Sequence, residues 1–179
     1  MVDERPLVDL IVRPGIEIVS AGRLEVSQEG TRLWVASAWE PERDVRHSEG
    51  HVPLLMPGSV GRNAVPEVLV EVTGAWVDGA IRAARIAPTP DARVAAWHAP
   101  AGRMRPGELG GEQYARLSRA FTEAAGTPVL SSGGTDEALW YHVLYVTPEL
   151  VDAHRAWPTR VDVFAGIVPA VWRGAGQRT

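Results

Sequence analysis

The chain has five histidines and no cysteine, so acid–base or metal chemistry must come from imidazole and carboxylate. The densest set is His47-Ser48-Glu49-Gly50-His51. Two histidines four apart share one face of a helix, as metal ligands can. Gly50 and Pro53 argue against a helix here. The zinc-protease order His-Glu-x-x-His is not met, because Glu49 stands two residues after the first histidine. What remains is a loop metal site of His47 and His51, with Glu49 or Asp44 as the oxygen ligand. The plainer reading is a pair of exposed loop histidines, and the expectation is no metal and no cofactor.

His142 is the other candidate. It sits in the apolar run 138–146, beside Trp140 and Tyr141. As a catalytic base it would face a pocket, with Asp152, His154 or Asp162 as its partner. As a core residue it would bury its ring and satisfy a nitrogen internally. Asp152 and His154, two apart on an expected helix, point to different faces and make no dyad. Nucleophile motifs fail. Pro57-Gly-Ser59-Val-Gly61 lacks the first glycine of Gly-x-Ser-x-Gly, and no strand precedes it. Ser131-Ser-Gly-Gly-Thr135 leads into a strand, whereas a phosphate cradle should open a helix.

All 18 basic residues are arginine, and lysine is absent. No Schiff base, pyridoxal-phosphate anchor or P-loop lysine can form. The missing cysteine removes thiolate nucleophiles, disulfides and iron–sulfur ligation. The net charge of −4 is uneven. Residues 1–50 carry 6 Arg against 10 acids, and residues 82–119 carry 7 Arg against 3 acids. The basic stretch brings together Arg82, Arg85, Arg93, Trp97, His98, Arg103 and Arg105. Arginine with tryptophan is the composition of binding hot spots. It also suits stacking and phosphate contact along a single strand.

These residues need elements to position them. Residues 16–19, 24–26 and 32–39 read as short strands of a meander, broken at Ser20-Ala-Gly22 and at 28–31. Residues 40–66, with four prolines, read as a long irregular connection. Residues 68–77 form the clearest strand, with Val68, Val70, Val72 and Trp76 on one face. Asp78-Gly79 is a type I′ hairpin signal, and residues 80–86 return as the partner. The hairpin over 70–81 is the twisted, Gly-bent kind that OB-like barrels use, as do many unrelated sheets. Residues 111–125 have helical spacing, with Tyr114, Leu117, Phe121 and Ala124 or Ala125 on one face, Gly126 as C′ and Pro128 as stop. A short strand at 129–130, a loop at 131–136 and a central strand at 138–146 follow. Thr147-Pro148 then opens a helix, and a last strand covers 160–164. Trp34, Trp76 and Trp140 fall in strands and are expected to pack the core.

The expected fold is therefore α+β. An N-terminal antiparallel barrel-like sheet over 1–88, of the OB-like kind as one variant, leads through a Pro/Gly-rich basic linker at 89–110. An αββαβ part over 111–172 packs against the sheet, with a frayed tail at 173–179. No stretch is long and apolar enough for a secretory signal or a membrane span, so the expected setting is cytoplasmic without membrane contact. With no catalytic set in view, the leading expectation is a non-catalytic binding module. It would meet a protein partner through residues 40–66 or 87–105. A single-stranded nucleic-acid-binding barrel and a His/carboxylate hydrolase centred on His142 or the 47–51 loop are the alternatives.

Overall fold

A single strand, β1 (Glu17–Ser27), organises the fold by pairing with three others. The structure, a computed structural model, describes residues 7–35, 50–57, 69–89, 111–134, 138–156 and 160–171. After a 3₁₀ turn at Leu7–Leu10, the strands are β1, β2 (Gly30–Val35), β3 (His51–Leu55), β4 (Leu69–Val77) and β5 (Ala80–Pro88). Helix α1 (Gly111–Ala125) follows, then β6 (Val129–Gly134), β7 (Ala138–Tyr145), α2 (Pro148–Ala156) and β8 (Arg160–Pro169). The eight strands of the described residues join in one sheet, ordered β2-β3-β5-β4-β1-β8-β7-β6, and β2 also pairs with β1. That extra pairing closes the first five strands into a ring. The protein is thus α+β and mostly sheet.

The ring closes because β1 changes neighbours. On one side it keeps β4 from Glu17 to Arg23. On the other it pairs first with β8, over Ile18–Ser20, and then with β2 from Gly22 onward. The changeover needs a close approach of backbones. A Cβ on Gly22 would lie 2.0 Å from the carbonyl oxygen of Trp34, so only glycine fits. This corrects the expected break at Ser20-Ala-Gly22. Glycine there bends one long strand and does not divide two short ones. Gly74 does the same on β4, where a Cβ would lie 2.2 Å from the Arg82 carbonyl oxygen beside a bulge.

β3 lies within residues 40–66, read above as an irregular connection, and so corrects that reading. It is a strand that runs parallel to β5 and antiparallel to β2. Pro53 hid it, since proline supplies no ladder N–H. Here Pro53 pairs with Arg32 of β2, while β5 pairs only with Leu54 and Leu55. Proline therefore sits where the other side of the strand is unpaired. The β4–β5 turn is as expected: Asp78 and Gly79 have φ of 47° and 79°, the two positive values a type I′ turn needs.

The ring is filled by Ile18, Leu24, Leu33, Val35, Val52, Leu54, Val70, Val72, Trp76, Ile81 and Ala83, together with Leu144 and Ile167 from β7 and β8. Beyond β1, the sheet continues as β8-β7-β6 and is backed on one face by α1 and α2. Phe121 of α1 stacks on Tyr141 of β7 at 4.1 Å, and Leu150 and Val151 of α2 join the same core. Gly126 ends α1 with φ of 61°. Thr147 caps α2: its Oγ1 accepts from the Leu150 N–H at 3.1 Å and donates to the Ala125 carbonyl at 3.1 Å. Two strands run several residues past their expected ends. β6 extends through Ser131–Gly134, read above as loop, and β8 extends to Pro169.

Candidate functional site

Alternation decides which side chains the ring presents outward. In β2, Leu33 and Val35 are buried at 0% and 1% exposure, so Trp34 between them must point out. It is half-buried on the outer face, which corrects the expectation that it packs the core. Trp76 and Trp140 do pack inside, at 6% and 4%. In β3, Val52 and Leu54 fill the ring, leaving His51, Pro53 and Leu55 outside. In β1, Arg23 and Glu25 flank the inward Leu24.

The strand registers gather these residues. Arg23 pairs with Trp34, and Trp34 pairs with His51, so the three form one row across β1, β2 and β3. Glu25, Arg32 and Pro53 form the next row. Leu55 then pairs with Arg82 of β5, and Arg85 follows on the same strand opposite Thr73. Arg82 and Arg85 are both exposed. At about 3.3 Å per residue, the strip from the Trp34–His51 row to Arg85 is roughly 20 Å long.

Contacts within the strip fix its aromatic end. The Trp34 indole N–H donates to Glu25 Oε2 at 2.5 Å. The rings of Trp34 and His51 meet at a centroid distance of 4.7 Å and an angle of 46°. His51 Nδ1 is buried and has no hydrogen-bond partner among the described residues. Arg32 is engaged by Glu29 at 2.8 Å. Among the described residues, Arg23, Arg82 and Arg85 make no ion pair. The strip therefore holds four arginines and one carboxylate, Glu25, which accepts from the indole; Glu29 takes Arg32 at the β1–β2 turn, Glu17 lies exposed in the Arg82 row, and Glu71 is buried on the neighbouring β4. That arrangement can stack a flat ring and bind anionic groups on either side of it.

Only part of the expected site lies on this face. Arg82, Arg85 and His51 do. Arg93, Trp97, His98, Arg103, Arg105, His47 and Glu49 lie outside the described residues. No group of three or more His, Asp or Glu able to hold a metal occurs among the described residues. Arg23, Glu25, Arg32 and Trp34 were missed. The signal was available: an aromatic between two aliphatic residues in a strand takes the face opposite to theirs.

His142 is elsewhere, on the face of β7 away from the helices. Ser131 of β6 and Phe164 of β8 flank it across the sheet. Asp162 lies on the Trp140 rung, two residues before Phe164. The imidazole is 0% exposed. Its Nε2 sits 3.5 Å from where a Cβ on Gly166 would be. Val35 Cγ1 fills the same notch, 2.3 Å from that Cβ position. Asp152 and His154 belong to α2, on the opposite face of the sheet. His154 Nε2 lies 2.7 Å from the Val161 carbonyl oxygen, and Asp152 faces Arg155 at 3.7 Å. The geometry places His142 in the core and gathers no second catalytic group from α2 around it.

Comparison with protein-family models, with curated proteins and with solved structures gives no match. No helix among the described residues is long and apolar enough to cross a membrane.

Proposed function

We propose that this chain is a non-catalytic binding module that takes a short stretch of single-stranded nucleic acid along the outer face of its ring. One observation carries the reading: the Trp34–His51 pair sits in one strip with Arg23, Arg32, Arg82 and Arg85. Stacking on an aromatic beside a track of cations is how single strands are held without a deep pocket. Five strands closing through a parallel β3–β5 pair also fit an OB-like barrel, in which the strand 2–strand 3 face carries oligonucleotides or oligosaccharides. That likeness is one of architecture and lends support by analogy only. The αββαβ order of the second half would then serve as a buttress, bonded to the ring through β1 and β8.

The overall charge of −4 opposes a polyanion at long range. Screening over about 8 Å at physiological salt leaves the local strip in control. Affinity should accordingly be modest and should fall steeply with salt. Titration of a fluorescent oligonucleotide at several salt concentrations tests this. Arg82→Ala with Arg85→Ala should make the log–log salt slope shallower by about 1.4, as two lost phosphate contacts on a single strand require. No binding at low salt, or an unchanged slope, would reject the reading. A protein partner met through residues 40–66 or 87–105, which lie mostly outside the described residues, would then take its place.

A further inference from the structure

Glu25 is out of place in a surface built for phosphates. A carboxylate there repels the backbone of any nucleic acid, and its usual excuse, an arginine partner, is missing. Arg32, its neighbour in the row, is turned to Glu29 instead. What holds Glu25 is the Trp34 indole N–H, bonded to Oε2. Each carboxylate oxygen can accept two hydrogen bonds. Among the described residues, Oε1 accepts none, and Oε2 retains one site. The result is an oriented acceptor pair at the edge of the stacking ring.

We propose that Glu25 selects the base stacked on Trp34, and that the base selected is guanine. The inference rests on the nucleic-acid reading above and adds the identity of one base. Guanine's Watson–Crick edge presents N1–H and the N2 amino group side by side, two donors that can both reach the open Oε1 while Oε2 stays on the indole N–H. Adenine and cytosine offer a single amino group there, each beside a ring-nitrogen acceptor. Uracil and thymine offer one N–H between two carbonyl oxygens, which the carboxylate repels. Selection thus comes from attraction to one edge and repulsion of the others. His51 already touches Trp34, so nothing as thick as a base fits between the two rings. The base must take the remaining surface of the indole.

The test compares short oligonucleotides that differ at one position, G, A, C or U, in an otherwise uniform strand. The wild-type protein should prefer G over U by about tenfold, the range of a bidentate base contact. Glu25→Gln keeps an oxygen for the indole N–H but turns an amino group toward the base. It should stay folded and bring the G-to-U ratio to one or below. Trp34→Phe keeps a smaller ring but releases Glu25, and it should weaken binding of all four strands while bringing the G-to-U ratio to about one. Equal binding of all four strands by the wild type would overturn the proposal and leave the nucleic-acid reading standing, with Glu25 merely orienting the indole. An unchanged preference in Glu25→Gln would overturn it equally. Failure of every strand to bind would remove the nucleic-acid reading, and this inference with it.

Discussion

Two tryptophan–histidine pairs lie in this one sheet, with opposite surroundings. Trp34 and His51 face each other across β2 and β3 and are half-buried on the outside of the ring. Trp140 and His142 stand two apart on β7 and are 4% and 0% exposed. The residue types are the same, so type does not decide exposure. The number of dry faces does. Strands β2 and β3 have one dry face, the inside of the ring, and whatever alternates with it is left for solvent or ligand. β7 has two: Leu139, Tyr141 and Val143 meet the helices, while Leu144 on the other face joins the ring core. A polar aromatic on β7 has no wet side to occupy.

The two pairs should differ most in what they contribute to stability. Trp140→Ala should cost about 3–5 kcal/mol, as truncation of a buried aromatic does. Trp34→Ala should cost about 1 kcal/mol, the worth of one hydrogen bond and a partly exposed ring contact. Denaturant titration of the two variants reads the difference directly. Equal losses would mean that the two pairs are equally structural, and the outer strip would lose its claim to be a site.

The seam between the regions offers a smaller effect. Val35, next to Trp34, fills the notch at Gly166 beside His142. Gly166→Ala should push Val35 out and destabilise by about 1–3 kcal/mol, the usual cost of overpacking. Val35→Ala should recover part of that loss in the double variant, a coupling that a thermodynamic cycle measures. Strict additivity would show that Val35 and Gly166 do not meet. The smallest effect is at the hairpin. Gly79→Val should cost at least about 1 kcal/mol, because a β-branched residue resists the positive φ found there. A neutral result would contradict the turn.

Much of the fold was legible in local signals. The Asp78-Gly79 turn, the Gly126 end of α1 and the Thr147 cap were readable because each depends on one or two residues in sequence. Five strands before residue 90 were also expected, yet the set differs from the one observed. Gly22 made one strand look like two, and Pro53 concealed β3. Both errors come from neighbours distant in sequence. Nothing local says that Gly22 will press on the Trp34 backbone, or that Pro53 will lie opposite an unpaired edge. The site suffered for the same reason. Arg82 and Arg85 stood out through charge clustering. Their meeting with Trp34 and His51 depends on the β3–β5 pairing, which no local pattern encodes. Trp34 itself was readable from Leu33 and Val35, and was misjudged because tryptophan in a strand is so often core.

The claim that the outer face of the ring is the contact surface is most directly tested by ultraviolet cross-linking of a bound single-stranded oligonucleotide, followed by mapping of the modified peptides. Adducts are expected at Trp34 or His51, with a weaker set near Arg82 and Arg85, and should be lost in Trp34→Ala. Adducts confined to residues 90–110 or 36–49, or none at low salt, would contradict it.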